Sequence, residues 1–518
     1  MPALPKPEMD YTLVLVGFQS VGLCILFTLI VVLMVTILFV VSCRRKAQAM
    51  RSQRRDIKCT RIALFHPYCS SGGGGERVLW KIVQVLLEEQ LHQKQRLCDK
   101  DRKRIHILIY TVDEPSPSYH STVLQHVRDR FSIDLLTNKE LDAASCLTFI
   151  HLHPYRHYLL PAKRLSLLVE SFRTMQLAWK ALTYSWELMP NIFMDTTGCA
   201  FTFGVARILM GCQVWAYVHY PTISTDMLQL VWEQRRAAYN HASYIAQSKV
   251  ATYAKLVYYC FFAFLYGLTG SLAHVVLVNS TWTYNHIAFL WKVAHFRKLI
   301  EIVYPPCQVS DLQKKSKDQS ARPRQNVILS IGQFRPEKDH VLQIEALTKC
   351  LELYPAWKGK VKLVLIGSCR GESDLARLKH LQILASQKRW GSDTIEFVVN
   401  QPYSVIQDWL SKASMGIHTM WNEHFGIGIV EMMAAGLLVM AHDSGGPRSD
   451  IVTVDTERTR TGFLATSAEQ YAKCIHQILT LPQEKSMEIR RRAEQSALRF
   501  SDEVFEERLR SLFSSKIF

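Results

Sequence analysis

No Cys-x-x-Cys pair occurs in this sequence, and its 13 cysteines are scattered, several of them inside apolar runs, as Cys199, Cys212 and Cys260 are. That spacing excludes a zinc finger or ribbon, and the odd count speaks against a disulfide-stapled secreted scaffold. Free thiols buried in a reducing compartment fit it instead. No helix-turn-helix, zinc-finger or aromatic RNA-binding pattern is present, so the basic balance does not point to nucleic acid. There is no Walker A loop either. The run Gly72-Gly73-Gly74-Gly75 is followed by Glu76-Arg77 rather than Lys-Ser/Thr. It is also not a Gly-x-Gly-x-x-Gly fingerprint with an acid on the next strand. Acid is scarce overall, with 45 Asp and Glu against 62 Lys and Arg, a formal charge of +17.

Charge of either sign is missing altogether from residues 11–43. A bilayer core of ~30 Å needs about 20 helical residues, so this run is long enough to span it. A signal peptide is the rival reading, but its apolar core is only about 7–15 residues and follows a basic end. The flank here is Lys6, Glu8 and Asp10. Beyond the run come Arg44, Arg45, Lys46, Arg51, Arg54, Arg55, Lys58 and Arg61 against Asp56 alone, which is +7 of the +17. Cationic flanks stay cytoplasmic, so residues 1–10 are expected in the lumen and everything after 43 in the cytosol. The basic segment 44–60 reads as a membrane-surface feature. A second apolar stretch, 257–272, is short for a span and reads as a core helix or one lying in the membrane plane. A single crossing there would also part the glycine loop from the later carboxylates.

The soluble part alternates strand and helix. Apolar strands are expected at 61–66, 105–110, 147–152, 212–218 and 275–278, with a helix after the glycines. Residues 304–326, with Pro305-Pro306 and almost nothing apolar, read as a linker. The alternation then restarts, with strands at 327–331 and 361–366 around a helix at 341–353. The expected fold is α/β: two Rossmann-like doubly wound domains, 61–303 and 327–485, facing a cleft, followed by helices over 486–518.

Chemistry-bearing residues should gather at the carboxyl ends of these strands. Gly72, Gly73, Gly74 and Gly75 open a helix, where free N–H groups and the helix dipole suit a diphosphate; elsewhere four glycines would be a flexible linker. Gly332-Gln333-Phe334-Arg335-Pro336-Glu337-Lys338 follows a strand, and Arg335 and Lys338 are candidates to grip phosphate. Glu423-His424-Phe425-Gly426-Ile427-Gly428-Ile429-Val430-Glu431 sets two carboxylates around a small-residue turn, with a helix expected over 431–435 up to Gly436. Gly445-Gly446-Pro447 closes the next loop. A lone His219 is most often a satisfied core residue, but Pro221 and the mostly polar run 222–226 put it at a strand end. Asp195 could position a loop. Asp99-Lys100-Asp101 spells a metal-binding Asp-x-Asp, yet sits in a charged turn before a strand.

In combination these motifs resemble the large retaining GT-B glycosyltransferase family with the Glu-x7-Glu signature, over about residues 60–490. Phe65-His66-Pro67-Tyr68, Tyr217-Val218-His219-Tyr220-Pro221 and the anchor are similar to its eukaryotic α-1,2-mannosyltransferases of the endoplasmic reticulum. The resemblance implies mannose transfer from GDP-mannose, with retention, to Man3GlcNAc2-PP-dolichol and then the Man4 product, on the cytosolic face, in N-glycan precursor synthesis. It implies that Arg335 and Lys338 bind the leaving diphosphate, Glu431 the ribose and Glu423 the transferred mannose. His219 would lie near the acceptor hydroxyl. Gly72 to Gly75, Gly332, Phe425, Gly426, Ile427 and Gly428 would line the donor. No metal or other cofactor is implied. Expected partners are the dolichol-linked acceptor, the membrane and other mannosyltransferases of the same pathway. A transferase using UDP-N-acetylglucosamine and another lipid acceptor, and a silent membrane scaffold, stay open. Asn279-Ser280-Thr281 is a glycosylation sequon, expected bare if cytosolic.

Overall fold

The computed structural model describes residues 11–53, 59–96, 104–135, 143–162, 165–232, 249–318, 323–388 and 394–517. The expected luminal terminus 1–10, the Asp99-Lys100-Asp101 turn, and Arg54, Arg55 and Lys58 fall outside them.

Two parallel sheets carry the soluble body. The first holds β1 (Cys59–Phe65), β2 (Arg104–Thr111), β3 (Leu147–His151), β4 (Ile192–Asp195), β5 (Gln213–Val218), β6 (Val275–Val278) and β7 (Ile300–Ile302), in the order β3-β2-β1-β4-β5-β6-β7. The second holds β8 (Gln325–Ile331), β9 (Lys362–Gly367), β10 (Ile395–Val399), β11 (Ala413–His418), β12 (Leu438–His442) and β13 (Phe463–Ala465), in the order β10-β9-β8-β11-β12-β13. The strand order reverses between β1 and β4, and again between β8 and β11. Those switch points are where open α/β sheets leave a crevice for ligand. Strand β6 is buried along its whole length, which explains its unbroken apolar run, while the equally buried β4 ends in Asp195. Strands β4 and β7 were not expected: four and three residues give no periodicity to read.

The polar stretch expected as a linker contains a helix, Val309–Asp318. Its few apolar side chains suffice, because Val309 and Leu312 are both buried in the second domain's core. The last helix, Asp502–Lys516, returns to the first domain, inserting Phe505, Leu509 and Phe513 beside the helix Gly74–Arg96. Arg77 meets Asp502 at 2.6 Å and Lys81 meets Glu506 at 2.5 Å along this contact.

One helix, Tyr11–Ser52, carries the apolar run. From Leu26 onward it is long and apolar enough to cross a membrane, and its side chains stand almost free of the protein. The helix does not stop at the basic segment, and that segment is not wholly a membrane-surface feature. Arg44 donates to the carbonyls of Ile208 and Arg207, at 2.8 and 3.0 Å. Arg51 donates to those of Pro190 and Met210, at 2.8 and 2.7 Å. The Arg207 carbonyl at the end of the short turn Gly204–Leu209 already accepts from the Gly211 N–H at 3.2 Å, and the guanidinium fork reaches it and the Ile208 carbonyl at once. Lys46 lies over the Trp186 ring at 4.3 Å, and Ala47 is fully buried between them and the core.

The second apolar stretch lies within the helix Lys249–Gly270. Tyr259, Phe262 and Tyr266 enter the first domain's core, while Tyr253, Val257, Phe261, Phe264 and Leu268 form an exposed stripe at helical spacing. A helix with one face in the core does not span a bilayer, so the crossing is excluded and a core helix with an outer apolar face stands.

Arg51→Ala leaves buried carbonyls unpaired and is expected to cost about 1–3 kcal/mol of stability. Thermal unfolding of the detergent-solubilised protein reads this, with exposed Arg45→Ala as the control expected to change nothing.

Candidate active site

Two cavities lie end to end between the sheets, of about 710 Å³ and about 660 Å³. They share Gly74, Ile331, Lys338 and Ile427 as a common wall. The larger takes in Gly72, Gly73, Gly332 and Glu431; the smaller takes in Gly75, His219, Arg335, Glu423, Phe425, Gly426 and Gly428. Every residue expected at the site thus borders one cavity or both.

The wall is built by a close approach of two helix starts. The helix Gly74–Arg96 begins after β1, and the helix Ile427–Ala434 begins after β11, four residues earlier than expected, so Glu431 stands one turn in. A Cβ on Gly74 would come within 2.8 Å of the Ile427 side chain, which is why nothing larger fits where the domains meet. Gly72 has φ +76°, and Glu76 reaches back to accept the Gly73 N–H at 2.8 Å, folding the loop. The helix Ile427–Ala434 has no side-chain cap at Gly426, φ +112°. Its free N–H groups are therefore open to an anion.

Cations frame the larger cavity. Arg130, Arg370 and Lys338 line it, while Arg77 is already held by Asp502. Glu431 faces the same space. Burial raises its carboxyl above the usual range despite the pull of Arg77, and Tyr403 approaches it at 3.5 Å. Arg370, Arg130 and Tyr403 were not anticipated. The signal for Arg370 was there: Gly367-Ser368-Cys369-Arg370 ends β9 as Gly332 to Lys338 follow β8. Nothing local marks Tyr403.

At the shared wall Lys338 contacts Glu423, and His418 lies 3.1 Å from the same carboxylate oxygen. Burial alone would raise the Glu423 carboxyl, but Lys338 and His418 together hold it well below its ordinary range. Its loop is braced from behind. A Cβ on Gly445 would sit 2.3 Å from the Glu423 carbonyl, and Gly446 donates its N–H to that carbonyl at 2.8 Å. Phe425 turns its ring into the core against Tyr304 and Phe500, at 5.7 and 5.2 Å, so it meets the cavity mainly through backbone. Arg335 remains largely open, its nearest acid Glu337 being 4.0 Å away.

His219 is not a satisfied core residue. Its Nε2 is buried without a hydrogen-bond partner at the edge of the smaller cavity, packed beside Gly75, where an added Cβ would lie 3.5 Å from it. Burial lowers its pKa to about 4, with the ring also bonded to the Thr196 backbone. The Thr196 bond fixes the proton on Nδ1, so Nε2 presents a lone pair to whatever enters. Asp195 organises the loop beneath: one carboxylate oxygen accepts the N–H groups of Thr197, Gly198 and Cys199 at 2.9, 2.7 and 3.1 Å. Asn279 of the sequon is buried and donates to the His219 carbonyl at 2.7 Å. A glycan on that amide would displace this packing.

The chain matches two family models: the ALG11 mannosyltransferase N-terminus over residues 59–291, and glycosyl transferases group 1 over residues 312–496. It is 41% identical to the GDP-Man:Man(3)GlcNAc(2)-PP-Dol alpha-1,2-mannosyltransferase of Xenopus laevis, over 94% of this chain and 93% of that one. The human protein of the same name is 40% identical over 89% and 88% of the two chains. Among solved structures, sucrose-phosphate synthase from Thermosynechococcus elongatus superposes with a TM-score of 0.56 at 16% identity, covering 88% of this chain and 98% of that one. Anabaena HepE with UDP and glucose gives 0.54 at 15%, covering 88% and 100%. These two establish the GT-B fold.

His219 is expected to stay neutral, with its proton on Nδ1, down to about pH 4. Its folded pKa lies below the unfolded 6.5, so the unfolded chain protonates first. His219 therefore withdraws stability as pH falls from about 6.5 to about 4, and none above. Imidazole 15N shifts read both tautomer and titration; a midpoint near 6.5 contradicts this.

Proposed function

The chain belongs to the family of GDP-Man:Man(3)GlcNAc(2)-PP-Dol alpha-1,2-mannosyltransferases, and from that premise we propose how its two cavities carry out the transfer. The enzyme moves mannose from GDP-mannose to a hydroxyl of the dolichol-linked oligosaccharide. The observation that carries this reading is the shared wall, where Lys338 and two helix starts meet between a cavity framed by cations and one that holds the Glu423 and Glu76 carboxylates. The nucleoside lies in the larger cavity, with Glu431 on the ribose hydroxyls. The diphosphate crosses the wall, held by Lys338, Arg335 and the free N–H groups after Gly426. The mannose enters the smaller cavity beside Glu423.

Configuration at the sugar carbon is kept. The acceptor's 2-hydroxyl attacks from the face the diphosphate is leaving, its oxygen bonding to the sugar carbon as the carbon–phosphate oxygen bond breaks. The departing phosphate oxygen takes the hydroxyl proton, and GDP leaves. Lys338 and Arg335 stabilise the charge that builds on that oxygen. These groups and the helix dipoles supply the positive field, so no divalent cation is needed. His219, with its lone pair on Nε2, accepts a hydrogen bond from a sugar hydroxyl and orients it.

The apolar helix anchors the enzyme in the endoplasmic reticulum membrane, with its catalytic domains in the cytosol. The cationic residues after the span support that orientation. The stripe Tyr253, Val257, Phe261, Phe264 and Leu268, with nearby Phe289, Val293 and Phe296, rests on the membrane surface. Both enzyme and lipid-borne acceptor are thus confined to one plane, which raises their effective concentration. Other mannosyltransferases of the pathway would meet the same acceptor there.

The test is transfer from GDP-mannose to a trimannosyl chitobiose diphosphate-lipid by the purified full chain. Elongation removable by α-1,2-mannosidase is expected, undiminished by a chelator. Lys338→Met should lower kcat by about 10²–10³-fold. Glu431→Ala should raise the donor KM by about 10- to 100-fold. Wild-type protein that binds GDP yet transfers nothing to this acceptor overturns the reading.

A further inference from the structure

Beyond the donor, the smaller cavity has a wall that the transfer chemistry leaves unused. Tyr68, after β1, and Tyr220, after β5, both border it, and their side chains are 49% and 51% exposed. Large aromatic rings left half in solvent inside a cleft are uncommon unless something covers them. Tyr220 stacks one face on His424 at 5.2 Å and 20°. Trp282 lies 5.2 Å from the other side of this contact, also against His424. His424 belongs to the second domain and the other two rings to the first, so Tyr220 is held at a fixed angle by both domains.

The charge at this wall says what it fits. Lys338 is paired with Glu423, and Arg335, 4.0 Å from Glu337, borders this cavity on the donor side. Near the two tyrosines the lining includes Leu159, Thr196, Thr197, Asn279, the orphan Nε2 of His219 and the carboxylate of Glu76, which lies 3.9 Å from His66. Flat aromatic rings edged by hydroxyl, amide, imidazole and carboxylate groups match a neutral pyranose, whose C–H face stacks on a ring and whose rim hydroxyls donate to such acceptors. The carboxylates of Glu76 and Glu423 disfavour a phosphate there. The strands β1 and β5 are two apart, with β4 between them. Their ends are therefore roughly 10 Å apart, enough for each tyrosine to meet a different sugar ring.

We propose that Tyr68 and Tyr220 form the acceptor subsite, each supporting one neutral sugar of the acceptor oligosaccharide. The proposal rests on the transferase reading for the word acceptor, but not for the binding itself. Tyr220, stiffened by His424, orients the acceptor toward the shared wall, and Tyr68 holds the adjoining ring. Because His424 comes from the second domain, the platform at Tyr220 is built by both domains together.

The experiment is binding of soluble trimannosyl chitobiose, without diphosphate or lipid, to the full chain in detergent with GDP present, followed by saturation-transfer NMR and titration calorimetry. Tyr220→Ala and Tyr68→Ala are each expected to weaken the oligosaccharide about tenfold. Tyr220→Phe should stay within about twofold, since the ring and not the hydroxyl acts. GDP affinity should be unchanged throughout, which also certifies the fold. In transfer assays the acceptor KM should rise with the donor KM constant. No oligosaccharide binding by wild type, unaltered affinity in both alanine variants, or a parallel loss of GDP affinity overturns the proposal. Binding with the expected losses but no mannose transfer upholds the subsite and sinks the transferase reading instead.

Discussion

The contact between Lys338 and Glu423 is the point on which the rest of the site depends. Removing two charges from water is unfavourable unless each has a partner. Here the partners are each other, with His418 completing the carboxylate's shell. The pair sits at the switch point of the second sheet, where β8 and β11 part, and the fold itself brings the two residues together from 85 positions apart. It is also a contact that a substrate can exchange. A diphosphate at the wall offers Lys338 a doubly charged alternative, and sugar hydroxyls offer Glu423 neutral donors. The groups that hold each other at the wall are thus the ones a substrate can divide between its two halves.

Holding two domains at that distance falls to other residues. Asp450 accepts from the Thr281 N–H at 3.0 Å and from the Tyr304 hydroxyl at 2.9 Å, tying the second domain to the first. Asp226 accepts from Asn422 at 2.5 Å, one residue before Glu423, and Asn422 is held at φ +51°. Arg77 joins the glycine helix to Asp502 of the returning helix. The last of these contacts is one reason why the final helix belongs physically to the first domain while following the second in the chain.

Much of this was legible from the residues. The glycine run, the strand-end Arg335 and Lys338, and the Glu423–Glu431 spacing each carry a local signature: a turn only glycine makes, a cation after an apolar strand, a carboxylate one turn into a helix. What stayed hidden depends on partners distant in sequence. Nothing near Arg51 reveals that it caps carbonyls at 190 and 210, so its charge was assigned to the membrane. Nothing near Val309 reveals that two buried side chains are enough to make a helix of a polar stretch. Asn279 looks accessible until the His219 carbonyl takes its amide. His219 itself was undecided for the same reason, because a satisfied and an unsatisfied imidazole share one sequence.

The anchor and the cleft are mechanically one object. A helix tied to a domain by a flexible run would let the active site tumble above the membrane. Here the helix enters the domain unbroken, with Phe39 against Trp179, Lys46 over Trp186, and Arg44 and Arg51 on four carbonyls. Arg207, whose carbonyl receives Arg44, also donates to Leu272 at 2.6 Å, just past the end of the helix Lys249–Gly270. That helix is about 33 Å long at 1.5 Å per residue and carries its exposed stripe away from the anchor. With the stripe on the membrane surface, as proposed, an anchor and a stripe braced to one another at a shared corner would fix both the height and the tilt of a rigid body, where either alone would fix only one. A lipid-borne chain a few sugars long has little reach of its own, so in that arrangement these contacts would set the orientation of the cleft.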